Sequence, residues 1–269
     1  MPEGDTLYRI AENIRPVLQG QAITAALSNP SPQVPAIDAA SLVGCTITSV
    51  EARGKHLLIS LDDDRVVHSH LGMHGSWHAY TIGEPWRKPA RQAGLAMRTA
   101  THEVVNFNPK LLELVTATTL RRNDYLQRLG PDLMLPDVDL PSILPRLRTH
   151  NAAPVGEAVM NQTLLAGVGN VYKSETLFLA RINPWSRVDE LGDQQLLDYL
   201  QLTHRLMRLN RKSGKRTTRF AGDGVRFWVY GRSGQACFEC ADKVRIRRQG
   251  DAGRTTYWCP TCQQPPAGR

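Results

Sequence analysis

Long apolar runs are absent from this 269-residue sequence, and its first residues lack the features of a targeting segment. No stretch approaches the ~18 apolar residues that a transmembrane helix needs. The N-terminus, Met1-Pro2-Glu3-Gly4-Asp5, has neither the basic nor the apolar region of a signal peptide, so we expect a cytoplasmic protein with no membrane partner. With 41% hydrophobic residues, the composition also excludes disordered and collagen-like chains.

Acidic residues are scarce in the last quarter of the chain. Residues 201–269 contain 15 Lys and Arg but only 4 Asp and Glu, a balance of +11, whereas residues 1–200 contain 18 and 21, a balance of −3. The basic segment also contains Cys and Trp, which fit a solvated tail poorly. A basic, folded C-terminal module predicts a polyanionic partner, most often nucleic acid.

Cysteine is rare as well, and four of the five cysteines fall in two pairs. Cys237 and Cys240 form one C-x2-C pair, Cys259 and Cys262 form the other, and 18 residues separate them. This spacing is typical of a zinc ribbon, in which a two-stranded hairpin brings four thiolates onto one metal. Disulfides are disfavoured in a cytosolic protein, and a redox site needs only one pair. We predict one structural Zn²⁺ here, and a buried, isolated Cys45.

Periodicity divides the remaining sequence into a β-rich part and a helical part. Apolar residues at helical spacing predict a helix over residues 5–19, capped by Asp5 and ended by Gly20. Short β-rich runs broken by Gly, Pro and Asp over residues 21–118 indicate a sandwich or barrel. Further predicted elements are helices at about 155–162, 170–181 and 193–210, and a hairpin within 236–263.

Five short motifs follow one another between residues 2 and 263. They are Pro2-Glu3-Gly4, Arg53-Gly54-Lys55-His56-Leu57-Leu58, Leu129-Gly130-Pro131-Asp132, Gly167-Val168-Gly169-Asn170-Val171-Tyr172 with Glu175, and Cys259-Pro260-Thr261-Cys262-Gln263. Each is weak alone, but in this order they are specific. The chain resembles the formamidopyrimidine-DNA glycosylase/endonuclease VIII family of base-excision repair enzymes over essentially its whole length.

The resemblance implies an α+β protein of several domains. A catalytic N-terminal β-sandwich with a leading helix would span residues 1–120, and a Pro-rich connector residues 121–153. A helix–two-turn–helix DNA-binding domain would span residues 154–230, and a four-cysteine zinc-finger β-hairpin residues 231–269. The implied partner is damaged double-stranded DNA in the bacterial nucleoid, bound by a monomer.

The resemblance further implies that Pro2 is the nucleophile and Glu3 the proton donor. Removal of Met1 would expose a secondary amine able to attack C1′ of a damaged nucleotide and expel its base. The resulting iminium has no N–H to lose, so it stays cationic and favours strand cleavage by elimination. By itself, Pro2 would be an ordinary chain end, and Glu3 a carboxylate favoured by a helix dipole. One departure is Thr6, where many members carry a second glutamate.

Five further residues match positions that contact DNA in the family. Lys55 would contact a phosphate and donate a proton in β-elimination, and Arg254 would grip phosphates beside the lesion and assist δ-elimination. Asn170 would bind a phosphate at a helix N-terminus; a plain N-cap is the alternative, and the two roles are compatible. Arg128 matches a contact near the connector. Met73 matches the wedge that fills the base stack once the damaged nucleotide is flipped out.

Two departures bear on the lesion. Relatives that excise 8-oxoguanine commonly carry Asp-Pro-Arg-Arg-Phe-Gly where residues 108–113 read Asn-Pro-Lys-Leu-Leu-Glu, and Pro2-Glu3-Gly4 resembles the start of endonuclease VIII. Both favour oxidised pyrimidines, whereas Met73 is typical of the 8-oxoguanine enzymes. Two alternatives therefore stay open: the same chemistry on oxidised purines, and a non-catalytic zinc-ribbon protein that binds nucleic acid, which would not need Pro2-Glu3 or Lys55.

Four closely spaced histidines, at positions 68, 70, 74 and 78, invite comparison with a metal site. The first two share a face of one predicted strand, but a glycine-rich turn separates them from the others. No carboxylate or cysteine completes the set, so a metal site is not favoured there.

Overall fold

The chain forms two compact units, residues 1–128 and 129–269. The structure is a computed structural model that describes residues 2–32, 34–212 and 214–265. Its elements confirm the α+β class predicted from the sequence. Among the helices of the described ranges, none has the length and apolar character needed to cross a bilayer.

The first unit is a β-sandwich with a leading helix, α1 (Gly4–Leu18). One sheet has the strand order β1-β6-β7-β5 and the other β2-β3-β4-β8, and neighbouring strands are antiparallel. The strands are β1 (Ala25–Leu27), β2 (Ile47–Arg53), β3 (His56–Leu61), β4 (Arg65–His70), β5 (Ser76–Thr81), β6 (Ala93–Arg98), β7 (His102–Phe107) and β8 (Leu111–Thr116). Short 3-10 turns lie at Ala40–Leu42 and Ala90–Gln92, and two short helices, α2 (Ala117–Arg121) and α3 (Asp124–Gln127), end the unit.

The core of the sandwich follows from the two periodicities of the sequence. In β3, alternate residues Leu57, Ile59 and Leu61 are buried, because successive side chains of a strand point to opposite faces. Helix α1 contributes an apolar stripe of Leu7, Ala11, Ile14 and Leu18 to the same cluster. The predicted sandwich with one leading helix is confirmed.

Helix α1 begins one residue before its predicted start. Glu3, with an extended backbone, is the N-cap residue, and its carbonyl accepts hydrogen bonds from the amides of Thr6 and Leu7. Asp5 therefore lies in the first turn instead of capping the helix. The predicted stop is confirmed, because Gly20 follows the C-cap with φ +78°, a conformation that glycine adopts without strain.

The second unit combines helices with a hairpin. Its helices are α4 (Ile143–Arg148), α5 (Val155–Ala158), α6 (Asn170–Leu179) and α7 (Asp193–Leu209), with a 3-10 turn at Val188–Glu190. Strands β9 (Arg245–Gln249) and β10 (Arg254–Trp258) pair antiparallel. Helix α4 lies inside the Pro-rich segment, which the sequence did not identify as helical, and α5 is shorter than predicted.

The motif at residues 129–132 packs against the loop that precedes α6. The amide of Gly130 donates to the carbonyl of Gln162 at 2.9 Å. A Cβ atom on Gly130 would lie 2.4 Å from the carbonyl carbon of Leu164, so the two backbones approach each other only because this residue is glycine. The Asp132 carboxylate closes the turn by accepting from the Met134 amide at 2.9 Å.

Candidate active site and nucleic-acid interface

The first residues of the chain place a buried carboxylate next to a proline. Glu3 is fully buried at the N-terminus of α1, and Pro2 before it is half-buried. A carboxylate at this end of a helix is stabilised by the helix dipole. Asp5 is also fully buried, and its Oδ1 accepts hydrogen bonds from the Thr6 amide at 2.7 Å and the Thr6 hydroxyl at 3.2 Å. Thr6, which stands where many family members carry a glutamate, thus donates hydrogen bonds to the carboxylate of Asp5.

Lys55 lies on the two-residue turn between β2 and β3. Arg53 pairs with His56 across the turn, and Gly54 has φ +58°, as the first position of such a hairpin turn requires. Lys55 itself is half-buried. The hairpin therefore holds this lysine at a defined end of the sandwich.

Burial lowers the pKa of two histidines in this region, His56 and His70. Burial, followed by the charges of His70, His68, Lys55 and Arg53, lowers the pKa of His56 to about 3. Burial, followed by the charges of Lys110, Lys55 and His68, lowers the pKa of His70 to about 4. His68 and His70 share a face of β4, as predicted, whereas His78 lies on β5 of the other sheet. Within the described ranges the histidines form no metal-ligand group.

Met73 lies at the tip of a tight turn between β4 and β5. Its side chain is 62% exposed. The turn is closely packed at two glycines, neither of which has room for a side chain. A Cβ on Gly72 would lie 2.8 Å from the Cβ of Lys110, and a Cβ on Gly75 would lie 2.4 Å from the carbonyl oxygen of Leu71. An exposed apolar side chain on a closely packed turn is suited to enter a base stack.

Residues 108–113 lead directly into a strand of the second sheet. Strand β8 begins at Leu111, which pairs with His70 of β4. Leu112, at the position of the aromatic wedge, is 2% exposed and belongs to the core of the sandwich. The segment therefore has an exposed cation, Lys110, but no exposed apolar wedge.

In the second unit, Asn170 and Arg254 are brought together. Asn170 is the first residue of α6, buried to 2% exposure, and Gly169 occupies the N-cap, so the N-cap interpretation of Asn170 is wrong. The Asn170 amide nitrogen donates to the carbonyl of Thr255 at 2.5 Å and to its hydroxyl at 3.2 Å. Because Thr255 follows the exposed Arg254 in β10, Asn170 ties the start of α6 to the strand that carries this arginine.

Two buried charged residues of α6 join the helix to its surroundings. The Lys173 ammonium donates to the hydroxyl of Thr256 at 2.8 Å. Glu175 is fully buried and accepts from the backbone amides of residues 228, 229 and 230, at 2.8, 2.8 and 2.7 Å, and from the Thr218 hydroxyl. Burial raises the pKa of Glu175, and these hydrogen bonds oppose that shift. Glu175 was in a sequence motif, but nothing in its spacing indicated which backbone it would hold.

The four paired cysteines converge as predicted. Their sulfur atoms all lie within 4.8 Å of one another, with 3.8 Å between Cys237 and Cys262 and 3.4 Å between Cys240 and Cys259. These separations exceed the ~2.05 Å of a disulfide and match the ~3.8 Å between sulfurs at the corners of a tetrahedral zinc–thiolate site. The donor set fits a zinc ion with four thiolate ligands.

Two other predicted positions are less organised. Arg128 follows α3 and is exposed, where it pairs with Asp124 at 3.2 Å. An exposed pair of this kind contributes little to stability, so the arginine can exchange partners. Cys45 is half-buried, not buried as expected, and bonds to Asp63 and Arg65.

Comparison with known proteins assigns both units to one family. Residues 1–120 match the model of the formamidopyrimidine-DNA glycosylase N-terminal domain, and residues 129–221 match the formamidopyrimidine-DNA glycosylase H2TH domain. The "Probable endonuclease 8 2" of Streptomyces coelicolor is 38% identical, over 100% of this chain and 96% of that protein. The "DNA-(apurinic or apyrimidinic site) lyase Nei2" of Mycolicibacterium smegmatis is 35% identical, over 98% and 99%.

Solved structures agree on the fold. Lactococcus lactis Fpg (MutM), crystallised with DNA containing N7-benzyl-Fapy-dG, superposes with a TM-score of 0.81. The match covers 98% of this chain and 100% of that one, at 24% identity.

Proposed function

Because this chain belongs to the formamidopyrimidine-DNA glycosylase/endonuclease VIII family, we propose that it excises oxidised pyrimidines from DNA and then cleaves the strand. The glycosylase and lyase activities are those of the family. The lesion class is carried by one observation, the burial of Leu112 in the core of the sandwich. An enzyme of the 8-oxoguanine type would present an aromatic wedge and an arginine in this segment.

The proposed nucleophile is the amine of Pro2 once Met1 has been removed. It attacks C1′ as the bond to the base breaks, and the nitrogen then loses its proton. Opening of the C1′–O4′ bond of the sugar ring gives the covalent iminium. Glu3 protonates the deoxyribose as its ring opens. The position of Glu3 supports this role, because its buried carboxyl group directly follows the residue that carries the amine.

Four residues are proposed to hold the DNA backbone. Lys55 contacts a phosphate and donates a proton during β-elimination, and Arg254 grips a phosphate beside the lesion and assists δ-elimination. Asn170 lies at the N-terminus of α6, where the helix dipole attracts phosphate, and its side chain ties this end of the helix to the strand of Arg254. Arg128 adds a further phosphate contact. Met73 fills the space left by the flipped nucleotide, which its exposure supports.

A zinc ion is proposed at Cys237, Cys240, Cys259 and Cys262. Four thiolates leave no open position, so the ion has a structural role in the hairpin that carries Arg254. The proposed partner is damaged double-stranded DNA, bound by one copy of the chain. The bacterial relatives and this partner support a place at the nucleoid in the cytoplasm.

Covalent trapping tests the chemistry. Borohydride reduces an iminium, so it should link the enzyme irreversibly to abasic-site DNA. A form that retains Met1 or an N-terminal tag should bind this DNA without being trapped. Glu3→Gln keeps the side-chain shape but removes the proton donor, so base excision should fall about 100-fold or more while cleavage of a preformed abasic site falls less. A native enzyme that is never trapped would leave only a nucleic-acid-binding protein.

A lesion panel tests the substrate class. Matched duplexes with thymine glycol, 5-hydroxyuracil or 8-oxoguanine should be compared under single-turnover conditions. We expect both oxidised pyrimidines to be excised faster than 8-oxoguanine. If 8-oxoguanine were excised faster, the substrate class would be oxidised purines, in agreement with Met73 and not with the burial of Leu112.

A further inference from the structure

One face of the second sheet carries a buried group of imidazoles. In β3 and β4 the residues that point into the sandwich include Leu57, Ile59 and Val67, so His56, His68 and His70 lie on the opposite face. His56 and His68 are nevertheless only 5% and 1% exposed. Polar rings buried outside the apolar core need a hydrogen-bonding explanation.

A continuous chain of hydrogen bonds crosses three strands on this face. Glu113 of β8 lies directly opposite His68 of β4, and its Oε1 is 2.7 Å from His68 Nδ1. Nε2 of the same ring is 2.8 Å from Nδ1 of His56 in β3. The chain therefore runs from a half-buried carboxylate to the residue that directly follows Lys55.

This chain selects one tautomer of His56. An ionised carboxylate only accepts, so His68 Nδ1 carries a proton that it donates to Glu113. Nε2 of His56 is buried and has no hydrogen-bond partner among the described residues, so the single proton of a neutral His56 lies on Nδ1. His56 donates that proton to the bare Nε2 of His68.

The groups around His56 also favour its neutral form. His70 lies opposite on β4 with ring centroids 4.9 Å apart, and the Tyr125 ring of α3 lies at 5.4 Å. Lys55 and Arg53 on the same hairpin act on His56 as positive charges. A protonated His56 would add a cation beside Lys55, and burial together with these charges prevents this.

We propose that Glu113, His68 and His56 are positioning residues for Lys55 in strand cleavage, and that they work by holding a neutral His56 of defined tautomer at the start of β3. This inference rests on the proposed function. The hydrogen bonds fix the first residue of the strand, and with it the turn that presents the lysine. At this turn Lys55 then contacts the DNA as a cation, and the neighbouring His56 adds no second positive charge.

Two substitutions of His68 separate the halves of the chain. An asparagine amide reaches about as far as Nδ1 of histidine, so His68→Asn keeps the contact with Glu113 and loses that with His56. A glutamine amide reaches about as far as Nε2, so His68→Gln keeps an acceptor for His56. His78→Gln, on the other sheet, is the control.

The measurement is the single-turnover rate of cleavage of a preformed abasic site, together with the dissociation constant for the same DNA. A misplaced lysine should slow cleavage by about 10- to 100-fold in His68→Asn, whereas DNA binding, which loses at most the one phosphate contact of Lys55, should weaken only by about 2- to 3-fold. His68→Gln should recover most of the rate, and His78→Gln should match the parent. Equal loss in both His68 variants, a parental rate in His68→Asn, or a parallel loss of binding would each overturn the proposal.

A second measurement needs no variant. Nitrogen-15 NMR of the imidazoles distinguishes protonated from bare ring nitrogens, and it should find His56 protonated at Nδ1 only. A proton on Nε2 would overturn the proposal even if every variant failed to fold. Failure of the proposed function looks different, because the parent protein would then form no borohydride adduct.

Discussion

Among single residues, the buried histidines make the acid stability of the first unit predictable. Their ordinary pKa is 6.5, and in the folded chain it is about 3 for His56 and about 4 for His70. Below pH 6.5 the two histidines bind protons in the unfolded chain but stay neutral in the folded chain. The folded state is therefore most stable, with respect to these two groups, above pH 6.5, and it loses stability as the pH falls towards their lower pKa values.

We therefore expect the free energy of unfolding to fall by about 1.4 kcal/mol per pH unit for each of the two histidines between pH 6 and 4.5. Chemical denaturation at a series of pH values measures this slope. His56→Phe, which keeps a ring but cannot titrate, should show a shallower slope, and a change at the exposed His150 should not alter it. An unchanged slope in His56→Phe would contradict the assignment.

Among elements, helix α6 is connected by Glu175 to residues 218 and 228–230 of the second unit. One carboxylate oxygen accepts from the amides of Val229 and Tyr230, and the other from the Trp228 amide and the Thr218 hydroxyl. In Glu175→Gln an N–H group must face at least one of these donors. Each buried donor left unsatisfied costs about 1–3 kcal/mol, so this variant should melt well below the parent in calorimetry.

Thr218→Val is the matched comparison for Glu175→Gln. It removes one donor and leaves the carboxylate bonded to three amides, so its loss of stability should be the smaller one. If both variants melted like the parent, the carboxylate would not be the anchor of residues 228–230.

The zinc hairpin is the second element with a clear prediction. Cys237 and Cys259 share a core with Phe178 of α6, Val229 and Val244, so the metal site and the helix depend on each other. Cys237→Ala, or removal of the metal by a chelator, should unfold the hairpin and abolish DNA binding while the β-sandwich stays folded. Circular dichroism with metal analysis follows both effects. Active protein containing no zinc would contradict the prediction.

At the scale of the whole molecule, the charge distribution predicts how DNA binding depends on salt. If Lys55, Arg128 and Arg254 neutralise phosphates, the logarithm of the binding constant should fall with the logarithm of salt concentration, by about 0.9 for each neutralised phosphate. Arg254→Ala should reduce this slope by about one. The control is Arg187→Ala, since Arg187 already pairs with Asp189. A slope near zero in the parent protein would show that the basic segment does not contact the backbone.

Local patterns in the sequence were sufficient for several elements. Apolar spacing located α1, a short β-rich run between turn residues located β3, and the two C-x2-C pairs located the hairpin formed by β9 and β10. Each depends on residues close together in the chain, where helical or strand periodicity and turn residues act directly. The order of five motifs likewise indicates the family without reference to the fold.

Tertiary structure alone decided how distant residues are used. Asn170 bonds to Thr255, Glu175 to the amides of residues 228–230, and His68 to both Glu113 and His56, at sequence separations between 12 and 85. None of these pairings is encoded in local spacing, because each depends on how the elements pack. Burial likewise made His56 neutral and placed Leu112 in the core, since the environment of a side chain is a property of the folded molecule and not of its neighbours in the chain.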